Sequence, residues 1–166
     1  MTSHQAWADA YLAQARADLV GAHCVQGRAP SVYAMLLQMV FEKLAKAALL
    51  RTGAVHLVAV QRSHRAASRM ISVLRLQRGI LEPLGGSPAW QDVFWVVEAL
   101  ESAHPQLAEP SSPILEYPWQ DQVGTVKWPE RDLAIAARLG DPSNNLGPRV
   151  LRFAALLSDR FDAVFP

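Results

Sequence analysis

The chain has 166 residues and a mass of 18.2 kDa, and its 51% hydrophobic residues are enough to fill a core without help from metal or disulfide. One domain spanning 1–166 is expected. Twenty-six Ala and twenty-one Leu, with 19% charged residues, exclude collagen-like, low-complexity and mainly-β chains and predict an all-α fold.

A single cysteine, Cys24, can form neither an internal disulfide nor a multi-cysteine zinc site, which points to a reducing compartment. Residues 1–11 lack the basic-then-apolar pattern of a signal peptide, and no eighteen-residue window is free of polar and charged groups. A soluble, cytoplasmic protein with no membrane contact is expected.

The net charge of +1 conceals a segregation along the chain. Residues 1–42 sum to −1, residues 43–81 carry eight Lys or Arg and no acid, residues 82–132 sum to −7, and the rest sum to +1. The basic block holds Lys43, Lys46, Arg51, Arg62, Arg65, Arg69, Arg75 and Arg78, with His56 and His64 among them. Arginine forks suit phosphate better than lysine point charges do. The plainer alternative is that the acidic block neutralises these groups in space.

The spacing predicts a first helix from an N-cap at Ser3 to Gly27, with Trp7, Tyr11, Ala15, Leu19 and Ala22 on one stripe. A second runs from Pro30 to Gly53 and is apolar round most of its surface, so it should be the most buried. A connector over 54–62 leads to a third helix opening at Ser63 and ending at Arg78, with Met70, Val73, Leu74 and Gln77 on its inner edge. Pro83, Gly85 and Gly86 make a turn, and Ser87 with Pro88 starts a helix that reaches Ala103. Prolines 105, 110, 113, 118 and 129 then forbid a helix and mark a long Pro-rich loop over about 104–129. A short helix over 130–139 and a last one over 148–164 complete the chain. Short connections between long helices make neighbours antiparallel, so the expected architecture is an up-and-down four-helix bundle with one extra short helix.

Asp18-Leu19 in the first helix, Gln38 through Leu50 (QMVFEKLAKAALL) in the second and Ser63-His64 opening the third resemble the HEPN family of small helical bundles. Gln38, Glu42, Lys43, Lys46, Ala47 and Ser63-His64 match that family's pattern one by one, and Tyr117-Pro118 resembles a Tyr-Pro that many members carry. The resemblance covers residues 5–78 and weakens past Glu82. It implies a domain that associates with nucleotides or RNA, often as a homodimer. It also implies one of three roles: a binding or regulatory module, a metal-independent ribonuclease acting as a toxin, or the partner of a small nucleotidyltransferase. Fold alone does not choose among them.

Gln38, Glu42 and Lys46 lie four apart on one helix face. A surface ion pair is one account of them; a semi-buried polar cluster joining Asp18, Gln38 and Lys46 across two helices is the other. Catalytic HEPN members use an Arg and a His separated by four to six intervening residues, and Arg51 with His56 fits that spacing, as does Arg16 with His23. Thirteen Arg and five His produce about one such match by chance, the second pair lies inside the first helix, and Gly53 leaves His56 on a connector. No catalytic pair is therefore assigned.

The expected phosphate site is instead Arg62, Ser63, His64, Arg65 and Arg69, where free backbone donors of a helix start meet arginines. His4, His23, His56, His64 and His104 lack zinc-helix spacing, so no metal or other cofactor is expected. Cys24 reads as a half-buried helix residue. Tyr117, Trp119 and Trp128 could stack on bases or anchor the loop. Trp90, Phe94, Trp95, Trp119 and Trp128 together exceed what one core of this size consumes, which favours a homodimer. The expected function is thus nucleotide or RNA-phosphate binding, with ribonuclease and structural interaction protein as the alternatives.

Overall fold

A computed structural model describes the backbone of residues 3–53, 55–76 and 78–166. Gln77 lies outside the described residues, as do the side chains expected to cap helices at positions 3 and 87. The protein is predominantly helical, with one two-stranded ribbon. Among the described residues no helix is long and apolar enough to cross a membrane.

Helices α1 (Ser3–Val25) and α2 (Pro30–Arg51) form a hairpin whose turn needs the positive φ of Gly27 (71°). Ala8, Leu12, Ala15 and Ala22 form the buried stripe of α1, while Trp7 turns outward. The second helix is buried on most of its circumference, from Tyr33 and Leu37 through Phe41 and Leu44 to Ala48. It packs against α1 and against six later helices, so it runs through the middle of the molecule.

The third expected helix starts late. The connector expected over 54–62 holds α3 (Leu57–Gln61), residues 62–65 are non-helical, and the helix expected from Ser63 starts only with α4 (Ala66–Leu76), followed by α5 (Arg78–Leu81). Met70 and Leu74 face the core and Val73 faces out. The break has a tertiary cause: the carboxylate of Glu101 accepts the Ser68 N–H at 3.1 Å and also the Ser68 hydroxyl. Those bonds satisfy a first-turn donor that an unbroken helix would have bonded internally, and they fix where α4 begins.

Single 3-10 turns at Glu82–Leu84 and Ser87–Trp90 lead into α6 (Gln91–Ser102). The Pro-rich stretch is not wholly irregular. Trp119–Gln120 (β1) and Val126–Lys127 (β2) pair antiparallel around Gly124, and Asp121 Oδ1 accepts the N–H groups of Val123 and Thr125. The chain continues through α7 (Pro129–Asp132) and α8 (Ala134–Gly140), then α9 (Leu146–Asp159) and α10 (Phe161–Val164). The expected last helix is cut at Arg160. In a continuous helix the Ser158 carbonyl would accept the Asp162 N–H; here it accepts Arg16 Nη2 at 3.1 Å.

Phe153 of α9 anchors the core, with Phe41, Trp90 and Phe94 at ring-centroid distances of 6.3, 4.9 and 5.7 Å. Trp90 donates to the Leu84 carbonyl at 2.6 Å. Trp90, Phe94 and Trp119 are thus consumed inside the chain, and of the aromatic residues expected to drive dimerisation only Trp95 and Trp128 stay exposed. Cys24 is exposed as well. A buried Tyr33 hydroxyl donates to the Gly147 carbonyl at 2.8 Å and ties α2 to α9.

Candidate functional site

The polar face of α2 supplies the base of the site. Gln38 donates to Glu42 Oε2 at 2.8 Å, and the Lys46 ammonium sits 2.7 Å from Glu42 Oε1. Lys46 also reaches the Gln61 carbonyl at 3.3 Å and lies 5.8 Å from the Tyr11 ring centroid. Burial pushes the Glu42 carboxyl up, but the hydrogen bonds from Lys46 and Gln38 outweigh it and hold the group below its usual range. Asp18, Gln38 and Lys46 are each at most 9% exposed, so the polar strip is buried. The expected partnership is nevertheless different: Asp18 pairs with Lys43 and accepts from Gln14 at 2.9 Å, and Lys46 belongs to Glu42.

Two histidines from elsewhere close over this strip. His64, on the 62–65 connector, and His104, just past α6, stack with centroids 4.4 Å apart and planes 22° apart. His64 Nδ1 lies 3.6 Å from Glu42 Oε1, too far for a hydrogen bond, and is buried without a partner. His104 Nδ1 accepts the Gln106 N–H at 3.2 Å, and burial lowers the His104 pKa, favouring the neutral ring. A cavity of about 240 Å³ opens beside the cluster, between Tyr11, Gln38, Glu42, Lys46, His104 and Glu116.

A larger cleft of about 680 Å³ lies between α4, α6, the Pro-rich segment and α8. Ala103 lines this cleft and its neighbour His104 lines the smaller cavity, so one short stretch of chain separates the two. Arg65 and Arg138, the serines Ser68, Ser102 and Ser112, and the apolar Leu107, Leu133 and Ile135 are among its lining residues. The Arg138 guanidinium lies 4.5 Å from the centroid of the exposed Trp95 ring.

Folding divides the basic block. Lys43 and Lys46 pair as described, and Arg75 pairs with Glu98 at 2.5 Å. Arg51 contacts Asp162 at 2.7 Å and Asp9 at 3.5 Å and lies over Phe161. Arg62, Arg65 and Arg69 are exposed and, among the described residues, make no ion pair. Neutralisation by the acidic block therefore holds for Arg75 but not for these three.

Ser63 and His64 do not open a helix. Ser63 donates its N–H to Val60, α4 begins at Ala66, and the anion at its first turn is the carboxylate of Glu101. The first turn of α4, the helix start that follows Ser63 and His64, is thus capped by a protein carboxylate. His56 precedes α3 on an exposed turn and shares none of the contacts of Arg51. Trp119 anchors the Pro-rich segment, Trp128 is covered by Arg131 at 3.6 Å, and Tyr117 is exposed.

Sequence reasoning missed Glu101, His104, Trp95 and Arg138. No local spacing could have revealed them, because each meets its partners from a separate segment. Comparison of the chain with protein-family models, with curated proteins and with solved structures finds no significant match.

Proposed function

We propose that this chain is a cytoplasmic HEPN-like helical module that binds a phosphate-bearing ligand of nucleotide size, free or within RNA, in the cleft between α4, α6 and α8. The observation that carries the proposal is the pair of arginines lining it. Arg65 and Arg138 have no carboxylate partner among the described residues. The Trp95 ring, 4.5 Å from the Arg138 guanidinium carbon, attracts the cation without using up its N–H donors, which stay available to a bidentate acceptor such as phosphate.

The volume suits a nucleotide, and the apolar lining residues Leu107, Leu133 and Ile135 suit the flat face of a base. Glu101 and Glu109 in the same lining disfavour a bare polyphosphate and fit a ligand that carries N–H donors beside its phosphate. Binding is favoured over the ribonuclease alternative because Arg51, the arginine at the family spacing, is already held by two aspartates. A purely structural role would leave the two cleft arginines without a task. The homodimer and the nucleotidyltransferase partner implied by the resemblance are part of the same proposal; the exposed Val20 and Leu76 are surfaces available to either.

Calorimetry with AMP, ATP, adenosine and inorganic phosphate tests it. AMP and ATP should bind and adenosine should bind far more weakly. Arg65→Ala and Arg138→Ala should each weaken nucleotide binding about tenfold, equivalent to ~1.4 kcal/mol. Affinity unchanged in both variants, or equal for adenosine and AMP, would refute the proposal.

A further inference from the structure

We infer that Glu42, His64 and His104 form a binding site for a divalent transition metal of the zinc class, separate from the arginine-lined cleft. One ligand atom from each of the three lies within 4.8 Å of the others. Tetrahedral zinc takes nitrogen and oxygen ligands at about 2.0–2.2 Å, so the donors around it sit about 3.3–3.5 Å apart. Closing the present spacing to that value needs side-chain adjustment of about 1 Å, with no movement of a helix.

The second observation is the orphaned ring nitrogen. His64 Nδ1 is buried, has no hydrogen-bond partner and faces Glu42 Oε1 across a gap of 3.6 Å. Buried polar atoms are normally satisfied, and a cation placed between the two groups satisfies both. The donor chemistry selects the metal: two imidazoles and one carboxylate suit zinc, cobalt or nickel, whereas magnesium and calcium demand oxygen ligands. Three protein ligands leave a fourth position, and the 240 Å³ cavity that His104 and Glu42 both line gives it access to a small ligand or water.

Two contacts oppose loading and sharpen the test. The Lys46 ammonium shares Glu42 Oε1, but the carboxylate offers further lone pairs, and Lys46 has a second acceptor in the Gln61 carbonyl. Removing that ammonium should therefore tighten metal binding. Coordination through His104 Nε2 places the ring proton on Nδ1, so the 3.2 Å contact with the Gln106 N–H is given up on loading.

The full chain, stripped with chelator, is titrated with cobalt(II), zinc(II) and magnesium(II). One equivalent of cobalt should produce visible d–d bands, zinc should abolish them, and magnesium should leave them unchanged. His64→Ala and His104→Phe should each weaken cobalt binding tenfold or more; the second preserves the ring stack on His64, and circular dichroism checks that both variants stay helical. Lys46→Met should strengthen binding. Cys24→Ser, which removes the exposed thiol beside His23, should change nothing. No cobalt spectrum from the parent, a spectrum that survives both histidine variants, or one lost in Cys24→Ser would overturn the inference.

Discussion

Gly147 is the position where a single methyl group should do most damage. It lies in the first turn of α9, where a Cβ would stand 2.2 Å from the Leu139 carbonyl oxygen of α8 and 3.3 Å from Tyr33 Cε1. An oxygen of the backbone cannot swing aside as a side chain does, so α8 must retreat by about 1 Å, and overpacking of that kind costs about 1–3 kcal/mol. The 3.3 Å approach of the same Cβ to the Tyr33 ring also strains the hydrogen bond from the Tyr33 hydroxyl to the Gly147 carbonyl, worth about 1 kcal/mol. Better helix propensity of alanine returns at most about 1 kcal/mol. Gly147→Ala should therefore destabilise the protein by about 1–3 kcal/mol, which lowers the melting temperature by roughly 2–12 °C in a chain of this size. Urea denaturation followed by circular dichroism measures the first quantity and calorimetry the second. Tyr33→Phe alone should cost about 1 kcal/mol, and the double variant should fall short of the sum, because the two changes remove one contact between them. A Gly147→Ala protein as stable as the parent would refute the close approach of α8 to α9. It would also undermine the placement of Arg138, which α8 carries into the cleft.

The same substitution has the opposite sign at Gly21, where a Cβ would meet only Leu36 Cδ1 at 3.6 Å; Gly21→Ala should raise stability by about 0.5–1 kcal/mol in the same denaturation assay, and a loss would refute the packing of α1 on α2. Arg149 grips Asp92 with two bonds, at 2.9 and 3.0 Å, and holds its carboxyl below the usual aspartate range. A folded-state pKa below the unfolded one adds stability above the ordinary aspartate range and loses it as pH falls through the folded value. For so exposed a pair the gain is about 0.5 kcal/mol, so Asp92→Asn should cost about that at pH 7 and nothing near pH 2, and an equal cost at both would refute the ion pair. Purified protein in EDTA should leave single-stranded RNA intact; cleavage by the parent that Arg51→Ala and His56→Ala both abolish would replace the binding function with a nuclease.

Much of the helical content was legible in the residues because α1, α2, α6 and α9 are long enough for apolar periodicity to average out local noise. Gly27 and the prolines of the 105–129 stretch marked boundaries through their own backbone restrictions, which need no partner. The buried polar strip of Gln38, Glu42 and Lys46 was also visible, since four-residue spacing places groups on one face whatever surrounds the helix.

What spacing cannot encode is which distant group meets that face. Asp18 took Lys43 and not Lys46, and the break before α4 follows from Glu101, a residue of α6 that reaches a first-turn N–H. His64 and His104 stack only because the 62–65 connector and the end of α6 converge above Glu42. Composition and periodicity determined that this chain is helical and that α2 carries a polar strip at its centre, for those depend on neighbours in sequence. The cap on α4, the histidine pair and the two arginines of the cleft were decided by tertiary packing alone, because each is a contact between segments whose order along the chain says nothing about their distance in space.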